Sequence, residues 1–493
     1  MEKADPTVYE VNTWVWLSEL GQKYGRRIDL GSVPPQEWEE FARLGVDALW
    51  FMGVWERSPS GVRIALELED QVAEYRRALP DFTAGDVVGS PYCIRRYVTD
   101  EQIGGEKGLA AARGELAKRG RGLILDFVPN HTAQDSPWIF DHPEYFIPGD
   151  REDLAKDPTA FFEAGPGGAI LALGRDPFFP AWQDVAQVNA FHPGLRKASI
   201  EALGSILEQC DGVRCDMAML LTNAVFERTW GRRAGEVPSR EFWVEVIEAV
   251  RRKHPRALFI AEAYWDMEWE LQQQGFDFCY DKRLYDRFVS GTAETIRQHL
   301  LADLGYQGKL IRFLENHDEP RAAAVLSPRK ERAAAVVIAT LPGAKLFHEG
   351  QFEGRRVRIP VALSRRPPEE LDSELQLFFY QLLTNIDSSC FHDGEWTLCD
   401  LAGWPDNWSW NNILAWGLRK GEERYLVAVN FSEFRSQALV QVPWNDIGEA
   451  RWRLVEVLTG EEYLRDGAEM LNPGLFVDLE AWDYHFLRCR EIR

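Results

Sequence analysis

The chain contains no apolar run of about 18 residues, the length a membrane-spanning helix requires, so none is expected. Its first residues, MEKADPTVYEVNTWVWL, lack a basic stretch followed by a clean apolar one, and no signal peptide is expected. Cysteine is sparse: seven residues, at Cys93, Cys210, Cys215, Cys279, Cys390, Cys399 and Cys489, with no Cys-x-x-Cys pair. The odd, scattered set speaks against a disulfide framework and predicts buried reduced thiols in a cytoplasmic protein. Positive charge is also short, 56 Lys and Arg against 78 Asp and Glu, for a net charge of −22. That balance argues against nucleic acid and anionic membrane as partners. There is no internal repeat or low-complexity tract. Nothing in the sequence speaks to oligomeric state.

What is present is a chain of 493 residues, enough for two or three domains, with 45% hydrophobic residues to build a core. Aromatics make up 12%, including 19 Trp. Trp and Tyr offer flat apolar faces with a polar handle, useful both for packing and for lying against sugar rings.

Strand-like runs alternate with helix-like runs, as βα units around a parallel sheet do. Strands are expected at Val8–Leu17, Val46–Met52, Gly122–Val128, Gly212–Cys215, Ala257–Ala261, Phe276–Cys279, Lys309–Leu314 and Ala344–Phe347. Helices are expected at Pro35–Leu44, Glu106–Arg119, Pro193–Glu208, Ser239–Lys253, Ala293–Leu304 and Arg329–Thr340. Eight strands match a (β/α)₈ barrel. The stretch from Ala133 to Phe191 is rich in Pro, Gly, Asp and Phe and reads as an irregular inserted subdomain. Beyond Asp393, short β-rich segments such as Tyr425–Phe431 and Arg451–Leu458 read as an antiparallel domain. The chain thus divides into a first barrel part (1–132), the insert (133–191), a second barrel part (192–392) and a C-terminal β-sandwich (393–493).

Chemistry in such a barrel sits at the carboxyl ends of the strands. The third strand ends in Asp126-Phe-Val-Pro-Asn130-His131, the fourth in Arg214-Cys-Asp216, the fifth in Glu262-Ala-Tyr264-Trp265 and the seventh in Glu315-Asn316-His317-Asp318. Four strand ends bring acids, an Arg and two His toward one point, which helix capping does not explain.

These segments, in this order and spacing, resemble the four signature regions of the α-amylase superfamily, glycoside hydrolase family 13. The resemblance implies a retaining α-glycosidase on α-1,4-linked glucans or oligosaccharides. Asp216 would be the nucleophile, Glu262 the general acid/base and Asp318 the third acid, which holds sugar hydroxyls. His131 and His317 would bind the ring under attack, Tyr92 in Gly89-Ser-Pro-Tyr92 would stack on it, and Asp126 would keep the site in order. Adjacent barrel strands lie about 4.8 Å apart, so neighbouring ends can supply the about 5–5.5 Å that retaining carboxyls need. Arg214, two residues before Asp216, shares its strand face and would keep it ionised.

The chain also departs from that family. Many members carry Lys-His three and four residues past the nucleophile; here Met219 and Leu220 stand there. The second Tyr of the Tyr92 segment, Tyr97, follows Arg96 where an acid is common. Calcium needs about six to eight oxygen ligands, and Asn130 is the one residue that matches a family ligand, so no cofactor is expected. Two further readings stand beside hydrolysis. One is a transglycosylase or glucoside isomerase using the same residues. The other is a non-catalytic carbohydrate-binding relative, which the presence of all three acids disfavours.

Overall fold

The computed structural model describes residues 5–492. Eight parallel strands close into a barrel: Thr7–Asn12, Ala48–Met52, Gly122–Phe127, Gly212–Cys215, Leu258–Ala261, Phe278–Tyr280, Leu310–Arg312 and Ala344–His348. The last strand pairs with the first, Val8 beside Leu346. The strands are apolar throughout because both faces are buried. Along the second, Ala48, Trp50 and Met52 fill the barrel interior, while Leu49 and Phe51 meet the outer helices. Register at the centre sets Arg214 beside Asp126 on one neighbour and Ile260 on the other.

Most expected elements lie within a few residues of those observed, and three differ in kind. The first strand stops at Asn12, and Thr13–Tyr24 is a helix rather than a continuation of the strand. The Asn12 side chain accepts from Val15 N at 3.3 Å and starts that helix. The helix from Ala293 ends at Leu300, with a separate turn at Leu304–Gln307. The 133–191 region is not irregular. His131–Ala133, Trp182–Gln187, Ile170–Gly174 and Phe161–Glu163 form, in that order, an antiparallel four-stranded sheet.

A second excursion, not anticipated, follows the second barrel strand. Trp55–Arg57 pairs with Ile94–Thr99, and between them lie the helices Pro59–Glu67 and Glu69–Ala78. Ser58 caps the first through Gly61 N at 2.8 Å. Acids in the first turn of the second, Glu69 and Asp70, and bases in its last turn, Arg76 and Arg77, suit the helix dipole.

After helix Ser373–Ile386 the chain forms a six-stranded and a three-stranded antiparallel sheet. Ile413 and Ala415 of the larger sheet share a core with Val440 and Val477 of the smaller. The larger sheet also joins the barrel's outer core through Trp416 and Phe486. Trp416 Nε1 donates to Thr340 Oγ1 at 3.2 Å. No helix among the described residues is long and apolar enough to cross a membrane.

Candidate active site

The eight residues singled out from sequence gather at one end of the barrel. At their centre is Arg214, whose side chain is 1% exposed. Its Nη1 donates to Asp216 Oδ1 at 2.6 Å and lies 3.7 Å from Asp126 Oδ1. Its Nη2 is 2.8 Å from Glu262 Oε2. The rings of Trp50, Tyr92 and Tyr280 surround the guanidinium at 5.1–5.8 Å from their centroids. One desolvated cation thus faces three carboxyls inside an aromatic cage.

Each carboxyl answers differently. Burial raises Asp216 above the usual carboxylate range, and the Arg214 contact opposes that rise. Burial carries Glu262 up to about 7. Its Oε1 accepts from Tyr264 OH at 3.1 Å and its Oε2 from Met217 N at 2.6 Å. Met217 reaches that position with φ of 43°, a left-handed turn. Burial raises Asp126 to about 6. Trp50 Nε1 and Gly53 N each donate to Asp126 at 3.2 Å. Gly53 has φ of 79°, and a Cβ there would collide with the Arg57 guanidinium. Asp126 therefore orders the floor and does not line the cleft.

Asp318 is the carboxyl that opens to the cleft, its side chain 43% exposed. Confinement raises it, but His317 Nε2 at 3.0 Å from Oδ2 outweighs that and holds it near about 2. His317 Nδ1 lies 2.5 Å from Glu10 Oε1, and its Nε2 also lies 2.6 Å from Tyr92 OH. Burial disfavours the imidazolium, yet Asp318 and Glu10 raise His317 well above its ordinary value. His131 lies beside Trp182 with ring centroids 5.1 Å apart. Burial lowers it to about 4 and outweighs the Asp184 carboxyl, which raises it.

Asp216, Glu262, Asp318, Tyr92 and His131 line one cavity of about 630 Å³, a size suited to small ligands. Sequence reading missed Glu10, Glu74, Tyr75 and Arg358. Glu10 had a signal, since it is an acid inside an apolar strand. Asp184 also lines the cavity. Met219 and Leu220 do not line it: both are buried in the turn Ala218–Leu221. Arg96, where the family pattern has an acid, pairs with Glu56 through its Nε at 2.6 Å.

The residues around Asn130 do not fit calcium. Gln187 Nε2 donates to Asn130 O, Asn130 Oδ1 and Val188 O at 2.9, 3.0 and 3.1 Å. Three oxygens thus converge on a neutral amide, whereas the ion needs about six to eight oxygens. Gln187 Oε1 accepts from Arg175 N at 3.3 Å, so the amide ties the insert to the third strand end.

Three outcomes follow. Arg214→Met should lower unfolding free energy in denaturant titration by about 3–5 kcal/mol, because it leaves buried acids unpaired. EDTA should leave the melting temperature unchanged. Gln187→Ala should cost about 1–3 kcal/mol, with no recovery on adding calcium.

No protein-family model matches the chain. A curated relative named α-amylase MalA, from Haloarcula japonica, is 25% identical over 256 residues, 49% of this chain and 33% of that protein. Another named α-amylase 3, from Dictyoglomus thermophilum, is 22% identical over 283 residues, 52% of each. The chain's match spans about a third to a half of those relatives' lengths. A maltogenic α-amylase from Thermotoga neapolitana superposes over 100% of both chains with TM-score 0.70 at 17% identity. The α-amylase of Geobacillus thermoleovorans, solved with acarbose, does so with TM-score 0.68 at 17% identity. Sequence relatives and solved folds together bear out the likeness read from the four strand ends, that of the α-amylase superfamily.

Proposed function

We propose that this chain hydrolyses α-glucosidic bonds of α-1,4-glucans or their oligosaccharides by retaining double displacement. The observation that carries the reading is the single guanidinium of Arg214 in contact with both Asp216 and Glu262. One planar fork touching both carboxyls favours the about 5–5.5 Å spacing of retaining enzymes over the about 6.5–9.5 Å of inverting ones.

In the first step the Asp216 carboxylate attacks the anomeric carbon. The bond to the leaving oxygen breaks, and the proton of Glu262 passes to that oxygen. In the second step the Glu262 carboxylate takes a proton from water, the water oxygen attacks the same carbon, and Asp216 leaves as carboxylate. The environments support this division. Asp216 accepts a hydrogen bond from Arg214, which favours its anion, while Glu262 is poised near neutrality, where an acid/base works best. Asp318, held anionic by His317, would grip ring hydroxyls and favour the oxocarbenium-like transition state. Tyr92, His131 and His317 would seat the ring, with Arg214 and Asp126 beneath it. No metal takes part in this reading. The relatives' hydrolytic names favour water over a sugar as acceptor. A cytoplasmic setting is part of the proposal, supported by seven buried, unpaired cysteines.

Asp216→Asn and Glu262→Gln should each lower turnover of an activated α-glucoside by at least about 10²–10⁴-fold while circular dichroism stays native. Proton NMR of the first product should show the α-anomer. The pH profile of kcat/KM should be a bell. Glu262 must be protonated, so the rate falls as pH rises through about 7. Asp216 must be ionised, so it falls again in acid. Glu262→Gln should erase the alkaline limb.

A further inference from the structure

We infer that the cleft is blind on one side of the scissile bond, so that the enzyme works from the non-reducing ends of short α-glucans and releases one or two sugar units. This rests on the double-displacement reading above, because the roles of Asp216 and Glu262 orient the substrate.

Glu262 marks the side of the leaving group. Its two partners, Tyr264 and Met217, also line a second cavity of about 440 Å³, together with Phe179, Trp265 and Lys282. The first cavity therefore continues outward past Glu262. Asp318 marks the opposite side, where the ring under attack and any sugars beyond it must lie. There the path meets a wall. Arg358 Nη1 donates to the Asp318 carbonyl at 3.3 Å. Arg358 Nη2 pairs with Glu74 Oε1 at 2.5 Å. Glu74 lies on helix Glu69–Ala78, so one strut reaches from the third acid's own backbone to the unanticipated helical pair.

The wall behind the strut is packed, not a loose flap. Ala65 and Tyr75 of the helical pair share a core with Val87, Ala362 and Leu363. Val88 N donates to Ala362 O at 2.8 Å and Ser364 N to Asp86 O at 2.9 Å. Arg365 binds Asp86 and Asp81 at 2.6 and 3.0 Å. The segment after the eighth strand is thereby fastened to the excursion after the second. A glucan chain threading through the cleft in both directions would have to displace this assembly. A chain end needs only to enter it.

The test uses a p-nitrophenyl α-maltoheptaoside and the same compound with its non-reducing glucose capped by a 4,6-O-ethylidene group. Products are separated in the first minutes. The wild-type protein should release glucose or maltose as the first sugars from the uncapped compound. The capped one should react at least about 10–200-fold more slowly, the penalty an extra methylene meets in a fitted pocket. Equal rates on both, with mid-length products from the start, would overturn the inference while leaving the glycosidase reading intact. No cleavage of either compound would instead remove that reading, and this inference with it. Glu74→Ala with Arg358→Ala should raise the capped-to-uncapped rate ratio; an unchanged ratio would overturn the strut's role.

Discussion

The site depends on one buried guanidinium. Arg214 has little contact with water and faces Asp126, Asp216 and Glu262 at once. Three carboxyls in so dry a place would all be pushed toward neutrality. A single cation does not relieve them equally. Asp216 takes an aligned hydrogen bond at 2.6 Å. Glu262 has Arg214 nearby but takes its own hydrogen bonds from Met217 N and Tyr264 OH. Those donors favour the carboxylate, so it is burial that raises Glu262 to about 7. Arg214 opposes the rise of Asp216, an arrangement the proposed division of labour requires. The barrel makes it possible: strands three, four and five lie side by side, with Asp126 and Arg214 in register.

A second relay supports the first. His317 joins Glu10 on the first strand to Tyr92 and Asp318. An imidazolium here needs two carboxylates, since burial alone would discharge it. Glu10 supplies a second, buried carboxyl beside the ring, so Asp318 is not the sole partner of His317 and faces the cleft. The edge of Trp50 closes on the His317 ring, with centroids 5.6 Å apart, and Trp50 also holds Asp126. The two charge systems therefore share one aromatic floor, and ring position and proton position are set by the same packing.

This division explains what the sequence could and could not disclose. Asp126, Arg214, Asp216, Glu262, His317 and Asp318 each sit in a short polar segment ending an apolar strand, a local pattern legible without coordinates. The strand Gly212–Cys215 has the same bounds read either way. Glu10 pairs with a residue 307 positions away, and Arg358 with one 284 positions away. No local pattern announces such contacts. The insert's strands, three to six residues long, are too short to display alternation between their turns. At Asn12 the apolar run continues straight into Trp14-Val-Trp16, and only a side-chain cap marks the change from strand to helix.

The apolar pair past Asp216 acquires a physical meaning from this arrangement. Met217 turns left-handed, and the chain dives inward so that Met219 and Leu220 join the core. Trp243 Nε1 fixes the turn by donating to Ala218 O at 2.7 Å. A lysine at position 219 reaching the leaving-group side would place a second cation near Glu262 and lower its carboxyl. Here the second cavity, beside Met217 and Tyr264, is lined by the rings of Phe179 and Trp265 as well as by Lys282 and Arg283, with Trp265 braced edge-on by Phe178 at 4.9 Å. Rings of this kind offer a flat apolar surface on which a sugar could lie. Met219 and Leu220 thus act as core residues behind the turn that presents Met217 N to Glu262, not as residues of the cleft.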